Sequence, residues 1–163
     1  MPAIVTAYLY PSTTLIYEVP SSGRLAQSVL FEVLESYDPT LARSLHSESE
    51  RLRLGTPYSV SRITTAAKYI RGPIATVPRG DHVRLTVKLL RDEFVDPYIR
   101  GLFEADLKLN GVPVTVAEVK VGRVSYRDLF LKSPVARGVT LRLMTQAIIG
   151  EEFPPDLRAL LSR

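Results

Sequence analysis

Residues 3–10 (AIVTAYLY) are rich in β-branched and aromatic side chains and predict a strand ended by Pro11. TLIYEV either extends it or forms a second short strand before Pro20. From Ser21 or Ser22, either of which could cap a helix, the period becomes helical. Leu25, Ala26, Val29, Leu30, Val33, Leu34 and Tyr37 form one apolar stripe over about four turns. Phe31 falls well off it, some 150° from the stripe centre at roughly 100° per residue, on the outward side with Arg24. A short second helix then opens at Asp38, whose carboxylate can accept from free amides, and at Pro39, whose missing N–H costs nothing there. Leu41, Ala42 and Leu45 face the core, and His46 lies at the edge of that face. A polar, arginine-bearing loop follows, and TPYSVSR alternates like a strand.

TAAKYIRGPIATVPRG, punctuated by Pro and Gly, reads as strand–turn–strand or as a basic loop. HVRLTVKLL is a strand with Val83, Leu85, Val87 and Leu89 on one face and Arg84 and Lys88 on the other. A further helix uses Phe94, Tyr98, Ile99, Leu102 and Phe103, with Asp96-Pro97 marking its start or a kink. Asn110-Gly111 between apolar alternations signals a hairpin. VSYRDLFL and GVTLRLMTQAII read as strands, and EEFPPDLRALLSR as a Pro-Pro turn with one or two helical turns. The order strand, helix, strand, strand, helix, strand predicts an α+β fold, the ferredoxin-like βαββαβ arrangement with a β-hairpin inserted late.

Charge changes the picture more than composition does. Residues 1–50 carry two basic and six acidic side chains, a net of −4, whereas residues 51–91 carry nine basic ones against Asp81, a net of +8. Sixteen of the 21 basic residues are arginine, suited to bidentate phosphate contacts. A positive face of this kind is the footprint of a polyanion partner, or else an ordinary solvated surface. The 163 residues make one domain the default, and the absence of cysteine rules out disulfides and thiolate chemistry. The N-terminus has no basic region like that of a signal peptide, and no apolar run reaches the roughly 18 residues of a membrane span. The expectation is a cytoplasmic protein without membrane contact.

No phosphate-cradling glycine loop, dinucleotide fingerprint, nucleophile elbow or H-E-x-x-H motif is present. Asp92, Glu93 and Asp96 could be read as a metal cluster, but they sit where a helix N-terminus favours negative charge, and no metal or cofactor is expected. What remains is acid–base chemistry. RNA carries its own nucleophile, the 2′-hydroxyl, and needs a base, charge stabilisation and an acid. A histidine at a helix end followed by arginines suits a phosphodiester; alternatively His46 only bonds a terminal carbonyl. His82, after Gly80-Asp81, is either a surface residue or a second imidazole. For Phe31 a plain surface aromatic, a subunit contact and a base-stacking platform all stay open.

The run LARSLH, a basic loop and PYSVS resemble the CRISPR repeat-RNA endoribonucleases of the RAMP (repeat-associated mysterious protein) superfamily. VPSSGRLAQSVLFEVLESYDP resembles that family's first helix, and GDHVRLTVKLL and GVTLRLMTQAII resemble two of its strands. The resemblance covers most of residues 3–150 and implies that 1–150 are the first ferredoxin-like domain of a family that usually has two, with 151–163 a tail or the start of a linker to the second. It implies metal-independent cleavage of precursor CRISPR RNA within its repeats, leaving a cyclic phosphate and a 5′-hydroxyl. His46 maps to the family's catalytic histidine, and Arg53, or Arg51 in its place, to the supporting basic residue. Arg24, Phe31, Arg43, Arg62, Lys68, Arg71, Arg79, Arg84 and Lys88 are the expected RNA contacts. The family's catalytic group carries a tyrosine where this chain has Phe31, and the glycine-rich loop of its second domain has no counterpart here. The partners implied are CRISPR repeat RNA and other CRISPR-associated proteins or a second RAMP domain, and a homodimer is compatible with them. The alternatives are a non-catalytic RNA-binding subunit that works with a partner half, and a ferredoxin-like protein acting by self-association.

Overall fold

The computed structural model describes residues 2–51 and 57–132. Its elements are β1 (Ala3–Pro11), β2 (Leu15–Glu18), α1 (Ser22–Tyr37), α2 (Pro39–Arg51), β3 (Tyr58–Val60), β4 (Ile70–Arg71), β5 (Ile74–Val77), β6 (Val83–Leu89), α3 (Val95–Glu104), β7 (Lys108–Leu109), β8 (Val112–Arg123) and α4 (Tyr126–Lys132).

The main sheet has the order β3-β6-β1-β8-β7. β1 is the central strand, antiparallel to β6 on one side and to β8 on the other, so that Val5 faces both Val87 and Val121. β3 pairs antiparallel with β6, which lies between it and β1. That interleaving is the ferredoxin-like order. β2, β5 and β4 form a separate three-stranded sheet, so TLIYEV does not extend β1, and TAAKYIRGPIATVPRG is strand–turn–strand.

Alternation sets the core. Ala3, Val5, Ala7 and Leu9 of β1 and Val83, Leu85, Val87 and Leu89 of β6 are buried with Ala26, Val29, Leu30, Val33 and Leu34 of α1 and Tyr98 and Leu102 of α3. α1 and α3 approach closely at Gly101, where an added Cβ would lie 2.5 Å from the Val33 carbonyl oxygen. Phe103, expected in the α3 stripe, is 61% exposed, and Val95 and Gly101 are buried instead.

Two expectations are corrected. The hairpin at Asn110-Gly111 forms, with positive φ at both residues (49° and 79°) as its tight turn requires. It is not an insertion, however, because its second arm, β8, is itself the strand beside β1. VSYRDLFL is not a strand. Ser125 Oγ accepts from the Asp128 backbone N–H (2.9 Å) and donates to its carboxylate (2.7 Å), a capping arrangement that starts α4. GVTLRLMTQAII and the boundary expected at residue 150 lie outside the described residues. Among the described residues, no helix is long and apolar enough to cross a membrane.

Candidate functional site

His46 is positioned by the way α2 begins. Asp38 Oδ1 accepts from the backbone N–H groups of Thr40 (2.9 Å) and Leu41 (3.1 Å), satisfying amides that the first turn leaves free. With the start pinned, Ala42 and Leu45 are buried, and His46, one residue on, stays exposed. The helix runs on to Arg51, so the first part of the expected loop is helical.

Phe31 does not stand free on the outer side of α1. It is half-buried between two rings, with its centroid 5.6 Å from that of His46 and 5.7 Å from that of Tyr58, both edge to face. α2 and β3 cover the side of α1 that a wheel drawn for α1 alone leaves to solvent. The Tyr58 hydroxyl accepts from Gln27 Nε2 at 2.9 Å. Gln27, Phe31, His46 and Tyr58 thus form one patch where α1, α2 and β3 meet. Neither Gln27 nor Tyr58 stood out as a site residue in the sequence, since a lone Gln and an alternating Tyr carry no signal there.

The expected basic contacts are spread over several surfaces. Arg43 is exposed on α2, its Nε donating to the Pro39 carbonyl (3.1 Å). Arg24 lines a cleft with Tyr17, Glu18, Ser28 and Asn110. Arg62 runs beside Gly23 in the first turn of α1, its Cγ 3.9 Å from where a Cβ would stand. Lys68 lies 3.9 Å from Asp81 and 4.7 Å from the centre of the Tyr69 ring, and Arg71 and Arg79 are exposed. Arg84 and Lys88 project from β6 on the side of the sheet away from the buried valines and leucines. Arg51 ends α2, and Arg53 lies outside the described residues.

Asp81 ties this region together. It accepts from the Tyr69 hydroxyl and from the His82 backbone N–H (3.0 Å). Those bonds, Tyr69 first, hold its carboxyl below the ordinary aspartate value, and Lys68 adds to the effect. Of the carboxylates considered for a metal, Glu93 pairs with Arg91 and Asp96 with Arg123, each at 2.5 Å. Among the described residues, no group of three or more His, Cys, Asp or Glu side chains is placed to hold a metal.

Solved structures share this architecture. A Cas6 protein in a product complex superposes with a TM-score of 0.57 at 21% identity, over 79% of this chain and 47% of that one. A Cas6-related protein from Pyrococcus furiosus gives 0.59 at 16% identity, over 77% and 49%. A RAMP protein described as binding different RNA substrates gives 0.57 at 17% identity, over 76% and 49%. The fold is that of the Cas6 and RAMP proteins. The chain spans about half the length of these Cas6 and RAMP structures. No family model matches the chain, and no curated protein matches it.

Proposed function

We propose that this chain is a CRISPR-associated RNA-binding protein that cleaves precursor CRISPR RNA within its repeats without a metal. The observation that carries the reading is the exposed imidazole of His46 against Phe31 at the α1–α2 junction, in a chain with the Cas6 and RAMP fold. The 2′-hydroxyl attacks the adjacent phosphorus as it loses its proton, and the 5′-oxygen leaves as it gains one. The products are a 2′,3′-cyclic phosphate and a 5′-hydroxyl. His46 serves one of these proton transfers, and Arg53, or Arg51, stabilises the charge that builds on the phosphorane. Arg24, Arg43, Arg62, Lys68, Arg71, Arg79, Arg84 and Lys88 supply phosphate contacts, whose strength falls as salt rises.

A second reading, a non-catalytic RNA-binding subunit or one half of a two-part enzyme, is favoured by Phe31, which packs against His46 and has no proton to exchange. Incubating the protein with labelled CRISPR repeat RNA in EDTA separates the two. A single discrete cut, lost in His46→Ala with RNA affinity retained, supports the nuclease. Retarded but intact RNA supports the second reading, and no salt-dependent binding overturns both.

A further inference from the structure

The side of the main sheet away from the helices carries a constructed pocket. Tyr8 of β1, Arg84 of β6, His82 just before β6, and Thr64, Thr65 and Ala66 line an open depression of about 270 Å³. His82 is half-buried there, its ring centroid 5.3 Å from Tyr8 and 5.6 Å from Tyr10. The opposite wall is fixed to β6. Thr64 and Arg84 exchange two backbone hydrogen bonds (2.8 and 3.0 Å), and Thr65 Oγ1 donates to the His82 carbonyl (3.4 Å). Arg84 Nε donates to Thr64 Oγ1 at 3.2 Å, which holds the guanidinium at the rim. Lys120 of β8 lies 5.0 Å from the Tyr8 ring centre and 3.3 Å from Glu118, whose charge it offsets, and Lys88 is exposed two alternations beyond Arg84 on the same face.

Tyr8, a histidine backed by Tyr10, an arginine and a preset wall form a place for a flat aromatic group bearing a negative charge. The volume is just under the range of ordinary ligand pockets, about 300–1,000 Å³, so it suits one unit rather than a helix. We propose that this pocket takes a single unpaired RNA nucleotide, its base against Tyr8 and His82 and its phosphate on the Arg84 guanidinium. The proposal rests on the RNA-binding reading above, yet it needs nothing from His46, which lies on the helix-covered side. Stacking on aromatic side chains accepts any base, so the pocket would sense whether a nucleotide is unpaired more than which one it is.

The test uses the full chain and a single-stranded repeat oligoribonucleotide with 2-aminopurine placed at each position in turn, read by anisotropy and by 2-aminopurine emission. One position should be quenched on binding. Tyr8→Ala should weaken binding about 5- to 150-fold and abolish that quench, whereas Tyr8→Phe should keep both. Arg84→Ala, at an exposed side chain, should reduce the salt slope by about one phosphate contact and keeps the test open if Tyr8→Ala fails to fold. Wild-type binding with no quenched position, and Arg84→Ala and a folded Tyr8→Ala matching wild type, would overturn the pocket and leave the RNA reading standing. A wild-type chain that binds no RNA overturns both. Weakened binding that tracks the loss of a dimer in sedimentation overturns the pocket too, and assigns this face to self-association.

Discussion

The ring of Phe31 meets the imidazole of His46 edge to face, with centroids 5.6 Å apart and planes 61° apart. A tyrosine at this position would add a proton-bearing hydroxyl to the ring that packs against His46. Phe31→Tyr is therefore expected to raise the rate of repeat cleavage, by up to about 10²-fold if an acid–base partner is what the site lacks. RNA affinity should change little. Single-turnover cleavage checks it, and an unchanged rate would show that no hydroxyl at position 31 is limiting.

Asp38 is expected to matter for His46 although it touches no substrate. Asp38→Ala removes the acceptor of two amides at the start of α2 and should cost about 1 kcal/mol of stability. Asp38→Asn should restore most of it, since asparagine caps comparably. Denaturant titration of the three proteins decides this.

Gly101→Ala tests the contact between α1 and α3. The new methyl would lie 2.5 Å from the Val33 carbonyl oxygen and 2.9 Å from Val33 Cγ1, and backbone cannot retreat as a side-chain tip can. Alanine favours helix over glycine by about 1 kcal/mol, but overpacking costs about 1–3 kcal/mol. The melting temperature should fall, and a rise would mean that the helices separate easily.

Tyr98→Phe should do the reverse. The Tyr98 hydroxyl is buried with no hydrogen-bond partner among the described residues, and burial raises its pKa. Removing an unsatisfied buried hydroxyl relieves a penalty of about 1–3 kcal/mol, less whatever packing the oxygen supplies. Equal or greater stability by thermal melt is expected, and a clear loss would point to a partner for that hydroxyl.

Asp81 predicts a pH dependence with a definite sign. Its folded-state pKa is depressed, mainly by the Tyr69 hydroxyl and then by the His82 amide. The stabilisation is thus complete above the unfolded aspartate value of about 3.9 and is lost as pH falls through the lower folded value. Amides of the β4–β5 hairpin should lose protection, relative to their intrinsic exchange rates, in that acid window. In Asp81→Asn this pH dependence should vanish, as hydrogen exchange followed between pH 5 and 2.5 can show.

Much of the frame was legible in the chain because it is written in local periodicity. The Asp38-Pro39 start of α2, the alternation of β6 and the Asn110-Gly111 turn are each decided by neighbours in sequence. α4 was misread because VSYRDLFL is β-branched and aromatic in content, while the Ser125 and Asp128 pair that starts a helix is a two-residue signal. Phe31 was misplaced for a different reason. A helical wheel knows one helix, and the side of α1 that carries Phe31 is covered by α2 and by Tyr58. The grouping of Tyr8, His82 and Arg84 was not legible either, since it depends on β1 pairing with β6 far along the chain.

That pairing has a consequence for how the protein is made. β1 leaves the ribosome before either of its neighbours, since Ala3 meets Leu89 on one side and Arg123 on the other. At roughly 5–20 residues per second, both edges of the nascent β1 wait on the order of ten seconds for their partners. Contacts this distant in sequence form slowly, and an apolar strand with two open edges invites pairing with other chains in the meantime. Of the two helices that share the core with the apolar face of β1, α1 (Ser22–Tyr37) is made well before α3 (Val95–Glu104).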